Sequence, residues 1–196
     1  MPYLAAALAA FAAAAAAEDA PAWRITRGEV RVSCPLTVGG SFEAKSAALA
    51  GTLRLADLRP ASFNGELSVD LRTLDTGIEL RNRHLRDEYL EVGKGTGFET
   101  ALLSGIRLPD ADAGSVKGKV PFSGTFLLHG TQRPVSGQAE IRRDAGSIRV
   151  EATFTVAIAD YGIPKPQYLG VGVKNEVQAK AILVATPVDG SGGGER

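Results

Sequence analysis

From Ser147 to Ile158 every second side chain is apolar: Ile148, Val150, Ala152, Phe154, Val156 and Ile158 share one parity. A period of two is the spacing of a β-strand with one buried face, and a helix cannot present these side chains to a single side. The pattern recurs along the chain. In Glu66-Leu-Ser-Val-Asp-Leu-Arg72, leucine and valine alternate with polar residues. From Val116 to Leu128, Val116, Val120, Phe122, Phe126 and Leu128 share a face, with Gly118 and Gly124 between them, and Val177, Ala179, Ala181 and Leu183 line one side of a last strand. About eight strands are expected, separated by turns such as Leu58-Arg-Pro-Ala61 and His129-Gly-Thr-Gln-Arg-Pro134.

Strands with one polar and one apolar face imply an antiparallel sheet, and its open edges would recruit other chains unless it closed on itself. The expected fold is therefore all-β, a closed antiparallel barrel of about eight strands. Such a barrel is either just filled by its side chains or able to hold one ligand. Here the inward set mixes phenylalanine and leucine with alanine and glycine, which favours a cavity. Its expected wall is Val69, Leu71, Phe122, Phe126 and Phe154, while Gly118, Gly124, Ala152 and Ala179 keep the same faces partly empty. A bulky residue placed at Gly124 is expected to fill that space.

One segment breaks the alternation. Asp75-Thr-Gly-Ile-Glu-Leu-Arg-Asn-Arg-His-Leu-Arg-Asp-Glu-Tyr-Leu-Glu-Val92 reads as a short helix over about Ile78 to Leu90. Thr76 and Glu79 have the spacing of a capping box, and Asp75 places negative charge near the helix's positive end. Ile78, Leu85 and Tyr89 fall on one stripe, which predicts that Leu85 and Tyr89 close one end of the barrel.

Asp75 to Leu85, Gly124-Thr-Phe-Leu-Leu-His-Gly-Thr-Gln-Arg-Pro-Val135 and Ile158-Ala-Asp-Tyr-Gly-Ile163 resemble, in order, three hallmark stretches of the YceI-like family. The resemblance runs from about Trp23 to Ala185. It implies an exported bacterial barrel of lipocalin-like shape that holds a long apolar ligand, a polyisoprenoid or similar lipid, with its short helix among the loops at one end. The chain departs from the family pattern in three places. Val32-Ser-Cys-Pro-Leu36 has no histidine, the helical motif begins Arg81-Asn82, and Ala159 stands where an arginine is usual. Ligand identity is not carried over across these changes.

The remaining chemistry is sparse. His84 has Arg83 and Asp87 as near neighbours on the helix, and is read either as a headgroup contact with Arg81, as a proton shuttle, or as an anchor of the helix to the rim. His129, before Gly130 in a turn, reads as a solvated loop histidine. Two distant histidines make no zinc site. Cys34 is the only cysteine, so no intramolecular disulfide can form, and it has no helix N-terminus or adjacent base to activate it. Ser104-Gly105 and Ser123-Gly124 lack the strand, elbow and helix context of an esterase nucleophile.

The expectation is thus a binding protein rather than an enzyme, without cofactor or metal. Two rivals stay open: an enzyme or lipid-modifying factor using His84 at the barrel mouth, and a filled-core module acting through its surface. Lysine plus arginine equals aspartate plus glutamate at 22 each, scattered along the chain, so nucleic acid is not an expected partner. Transient contact with a membrane and pairing into a homodimer are left open. Residues 4–17 are almost entirely alanine and leucine and end in the small-x-small pattern Ala15-Ala-Ala17. The reading is a signal peptide over 1–17, one barrel domain over 18–187, a disordered tail over 188–196, and a periplasmic or secreted destination.

Overall fold

The computed structural model describes residues 20–168 and 171–188. The expected leader and its cleavage near Glu18 lie outside them, as do residues 189–196 of the expected tail. Val188 is still tied down, its amide donating to the Ala22 carbonyl at 2.8 Å.

The strands are β1 (Ala22–Pro35), β2 (Ser41–Ser46), β3 (Leu49–Leu58), β4 (Ala61–Asp70), β5 (Thr100–Leu108), β6 (Gly118–Leu128), β7 (Thr131–Asp144), β8 (Ser147–Ala157), β9 (Gln167–Tyr168), β10 (Val171–Gly172) and β11 (Glu176–Pro187). Strands β3 to β8 pair in sequence, β8 pairs with β11, and β11 pairs with β1 from Trp23↔Pro187 to Ser33↔Gln178. β1 then meets β3 through Ala22–Arg24 and β2 through Val30–Pro35, so β2 prolongs the β3 wall. The result is a closed eight-strand antiparallel barrel, as the alternation implied. Register shifts in β1, β3, β4 and β5 supply the local bends that closure needs.

Alternation along each strand sorts its residues between wall and solvent. In β11, Val177, Ala179, Leu183 and Ala185 are buried; in β8, Phe154 and Val156 are. The lower end is closed by the loop over residues 109–117. Ala61 donates to Ala111 O at 2.9 Å, Ala113 to Leu58 O at 3.1 Å, and Arg143 Nε to Val116 O at 3.1 Å. Val116 belongs to this plug rather than to β6, which starts at Gly118.

The upper end carries the non-sheet segments. Between β4 and β5 a helix α1 (Glu79–Arg83) passes into a π-helical turn over His84–Tyr89, closed by the Leu90 amide donating to Leu85 O at 2.9 Å. The expected helix is there, but its start is built differently. The N-cap residue is Ile78, in extended conformation and with no side-chain cap. Ile78 therefore precedes the helix, falls off the inward stripe and is 49 % exposed. Thr76 instead serves Asn82, which is buried at 4 % exposure. Asn82 Oδ1 accepts from the Thr76 amide at 2.8 Å and its hydroxyl at 2.7 Å, and Asn82 Nδ2 donates to Asp75 Oδ1 at 2.7 Å. Asp75 in turn exchanges two 2.8 Å backbone bonds with Lys45 of β2, fastening the helix start to the wall.

Candidate ligand-binding site

The inward faces do not meet in the middle. Among the described residues no large side chain is fully buried, because interior groups keep surface toward an internal space. That space forms two chambers. The upper one, about 170 Å³, is lined by Val69, Leu71, Phe126 and Phe154 of the wall and by Leu85, Tyr89 and Leu90 of the helical segment. The lower one, about 130 Å³, lies over the loop plug and is lined by Trp23, Phe63, Phe122, Ile141 and Ile148 among others. Trp23 and Phe63 meet edge to face at 6.1 Å.

The expected wall residues thus face the interior, but not one common space: Phe122 lies in the lower chamber, Phe154 borders both, and the others face the upper one. Ala152 and Ala179 do line the chambers. The two glycines do not open them. A side chain at Gly124 would meet Ser104 O at 3.0 Å and Leu103 Cδ1 at 3.1 Å, so β5 already occupies that space. Gly118 sits exposed at the start of β6 with a positive φ of 81°.

The upper wall is almost wholly apolar. Its ionisable residues are Cys34, Tyr89 and Lys180, and the Lys180 ammonium pairs with Glu151 at 2.6 Å. Burial pushes the Cys34 thiol up to about 11, opposed by the nearby charge of Arg81. It is a packed thiol, not an activated one. Arg81 stacks its guanidinium 4.4 Å from the ring centre of Phe42, a residue of the upper wall. His84 does not reach the cavity. Its side chain is 41 % exposed and its partner is Glu88 at 3.7 Å, one residue beyond the expected Asp87.

His129 is not solvated. Its side chain is 10 % exposed, and its two ring nitrogens lie 2.9 Å from Tyr161 O and 2.9 Å from Glu91 Oε2. Phe98 packs edge to face on the imidazole at 4.7 Å. Lys94, and to a lesser degree His129, hold the Glu91 carboxyl below its usual range. His129 therefore braces three elements: the β6–β7 turn, the end of the helical segment and the turn over Ile158–Tyr161. His129 and Glu91 both adopt left-handed backbone, φ 50° and 49°. Residue type alone carried no signal of this brace, because its members lie 32 and 38 positions apart.

The quoted stretches around Asp75, His129 and Tyr161 all lie at the upper end, the last two in direct contact. The YceI-like domain model matches residues 23–185. The chain belongs to the YceI-like family.

Solved structures agree with the barrel of this YceI-like chain. A polyisoprenoid binding domain from Saccharophagus degradans, implicated in plant cell wall breakdown, superimposes with a TM-score of 0.64 at 18 % identity, covering 85 % of this chain and 98 % of its own. Burkholderia cenocepacia BcnA gives 0.62 at 16 % identity, covering 80 % and 96 %. A Campylobacter jejuni YCEI protein gives 0.51 at 17 % identity, covering 70 % and 80 %. No curated protein sequence matches the chain. At these identities the likeness is one of fold.

Proposed function

We propose that the protein holds a long apolar or amphiphilic ligand, an isoprenoid or other lipid, inside its barrel. The tail lies along the chambers and the polar end stays at the mouth beside Arg81. The observation that carries this reading is the almost wholly apolar wall of the upper chamber, covered by Leu85, Tyr89 and Leu90 of the helical segment, with a second apolar chamber beneath it over the loop plug. Such a wall binds by excluding water: each buried CH₂ contributes roughly 0.8 kcal/mol without any directional contact. The likeness in fold to the polyisoprenoid binding domain of Saccharophagus degradans supports the ligand class.

The placement of His84 on the exposed side, paired with Glu88, supports binding over a reaction at the mouth. We assign the protein to the periplasm or the secreted fraction. Support comes from the alanine-leucine run and the small-x-small pattern ahead of Glu18. Native mass spectrometry of protein purified from its source compartment, followed by organic extraction, tests both statements. A bound lipid and an N-terminus near Glu18 are expected. Ligand-free protein that also ignores an apolar fluorescent probe overturns the binding reading, and an intact Met1 terminus as the sole form overturns export.

A further inference from the structure

Four residues border both chambers: Leu67 on β4, Leu103 on β5, Phe154 on β8 and Ala181 on β11. Phe154 is the bulkiest of them and is held from both sides. Its ring meets Phe126 of the upper chamber edge to face at 5.2 Å and Phe122 of the lower chamber at 6.1 Å, with interplanar angles of 75° and 90°. Phe126 is itself backed by Tyr161 at 5.9 Å. The opposing backbone makes room for this stack. Gly137 of β7 pairs with Phe154, and a Cβ there would run into Thr153 O, Phe122 at 2.8 Å and Phe154 at 2.9 Å. An ordered aromatic group therefore stands at mid-height, between the two chambers.

The sizes make this position matter. Each chamber is of the order of the ~150 Å³ apolar cavity that accepts a single benzene. Either one takes only a short stretch of tail. A longer tail must pass the level of Phe154.

We propose that Phe154, with Leu67, Leu103 and Ala181, forms a constriction that sets how long an apolar tail the barrel accepts. The inference rests on the binding reading above and adds a specificity determinant to it. Short tails occupy the upper chamber alone. Once that chamber is full, added methylenes gain nothing until the chain is long enough to turn the Phe154 ring aside and enter the lower chamber.

Straight-chain primary alcohols of six to sixteen carbons, displacing an apolar fluorescent probe from delipidated protein, read this directly. In the parent, affinity rises roughly fourfold per methylene while the upper chamber fills, and then breaks to a plateau. Phe154→Ala moves the break to longer chains by several carbons and tightens the longest alcohols relative to the shortest by about tenfold or more. Ala181→Leu acts in the opposite direction, narrowing the same level and flattening the series earlier. Circular dichroism checks the fold of each variant. If Phe154→Ala does not fold, Phe154→Leu with Ala181→Leu decides the matter through the same opposed shifts. A parent series without a break, or a break that stays in place in the folded variants, overturns the constriction. Failure of every alcohol to bind the parent overturns the binding reading instead.

Discussion

Asn82 is the residue on which the upper end turns. It is buried, and its amide satisfies two donors of Thr76 and one acceptor of Asp75 at once. Truncation to alanine removes all three bonds and takes from the Thr76 amide its acceptor, while Asp75 keeps the Gly77 amide, so Asn82→Ala is expected to cost about 1–3 kcal/mol. Thr76→Ala removes only one hydroxyl and no helix cap, and is expected to cost at most about 1 kcal/mol. Urea denaturation of the two variants compares them directly, and a larger loss for Thr76→Ala would restore the capping role that the structure denies. Cys34 offers a second check at this scale. With its thiol pushed up to about 11 by burial, about one molecule in a thousand carries a thiolate at pH 8. Native protein is expected to resist iodoacetamide at that pH and to react fully in denaturant, whereas rapid native labelling would place the sulfur outside the wall.

At the scale of elements, the helical segment is held by carboxylates. Asn82 and the Gly77 amide hold Asp75 below its usual range, and Lys94 and His129 do the same for Glu91. A depressed carboxyl contributes stability that is complete above the unfolded value, near 3.9 for Asp and 4.3 for Glu, and is lost as pH falls through the lower folded value. The upper end is therefore expected to weaken below about pH 4. Glu91→Gln should flatten that acid limb in denaturation midpoints measured from pH 6 to pH 2, and an unchanged limb would remove Glu91 from the brace. The β5–β6 seam makes its own prediction. Ser104 O and Leu103 crowd Gly124, so Gly124→Ala overpacks the wall and is expected to destabilise the fold by about 1–3 kcal/mol rather than fill a void. A stability equal to the parent's would mean that β5 yields freely there.

For the whole molecule, a barrel with a hollow middle lacks the interior contacts that a dense core supplies. Ligand that binds only the folded form replaces part of them, adding about 2.7 kcal/mol when present at a hundred times its dissociation constant. Organic delipidation is expected to lower the thermal midpoint, and a long-chain prenol added back should restore it. Equal midpoints in the two states would indicate that the chambers stand empty during folding and use.

The barrel was legible in the chain because strand parity is a local property. Ile148 to Ile158 and Val177 to Leu183 declare their inward faces at a spacing of two, and closure follows from the need to pair the edges. The helix was legible for the same reason, as was the inward aim of Leu85 and Tyr89. Parity does not state height along the barrel axis. The stagger between strands placed Phe122 below Phe154 and Phe126 above it, and so made two chambers where the pattern implied one. Nor does local sequence report contacts between distant segments. His129 left solvent because Glu91 and Tyr161 converge on its ring, and the space beside Gly124 vanished because a bulged β5 fills it. Periodicity determines which side of the wall a residue faces; only the folded barrel decides its level and what stands opposite.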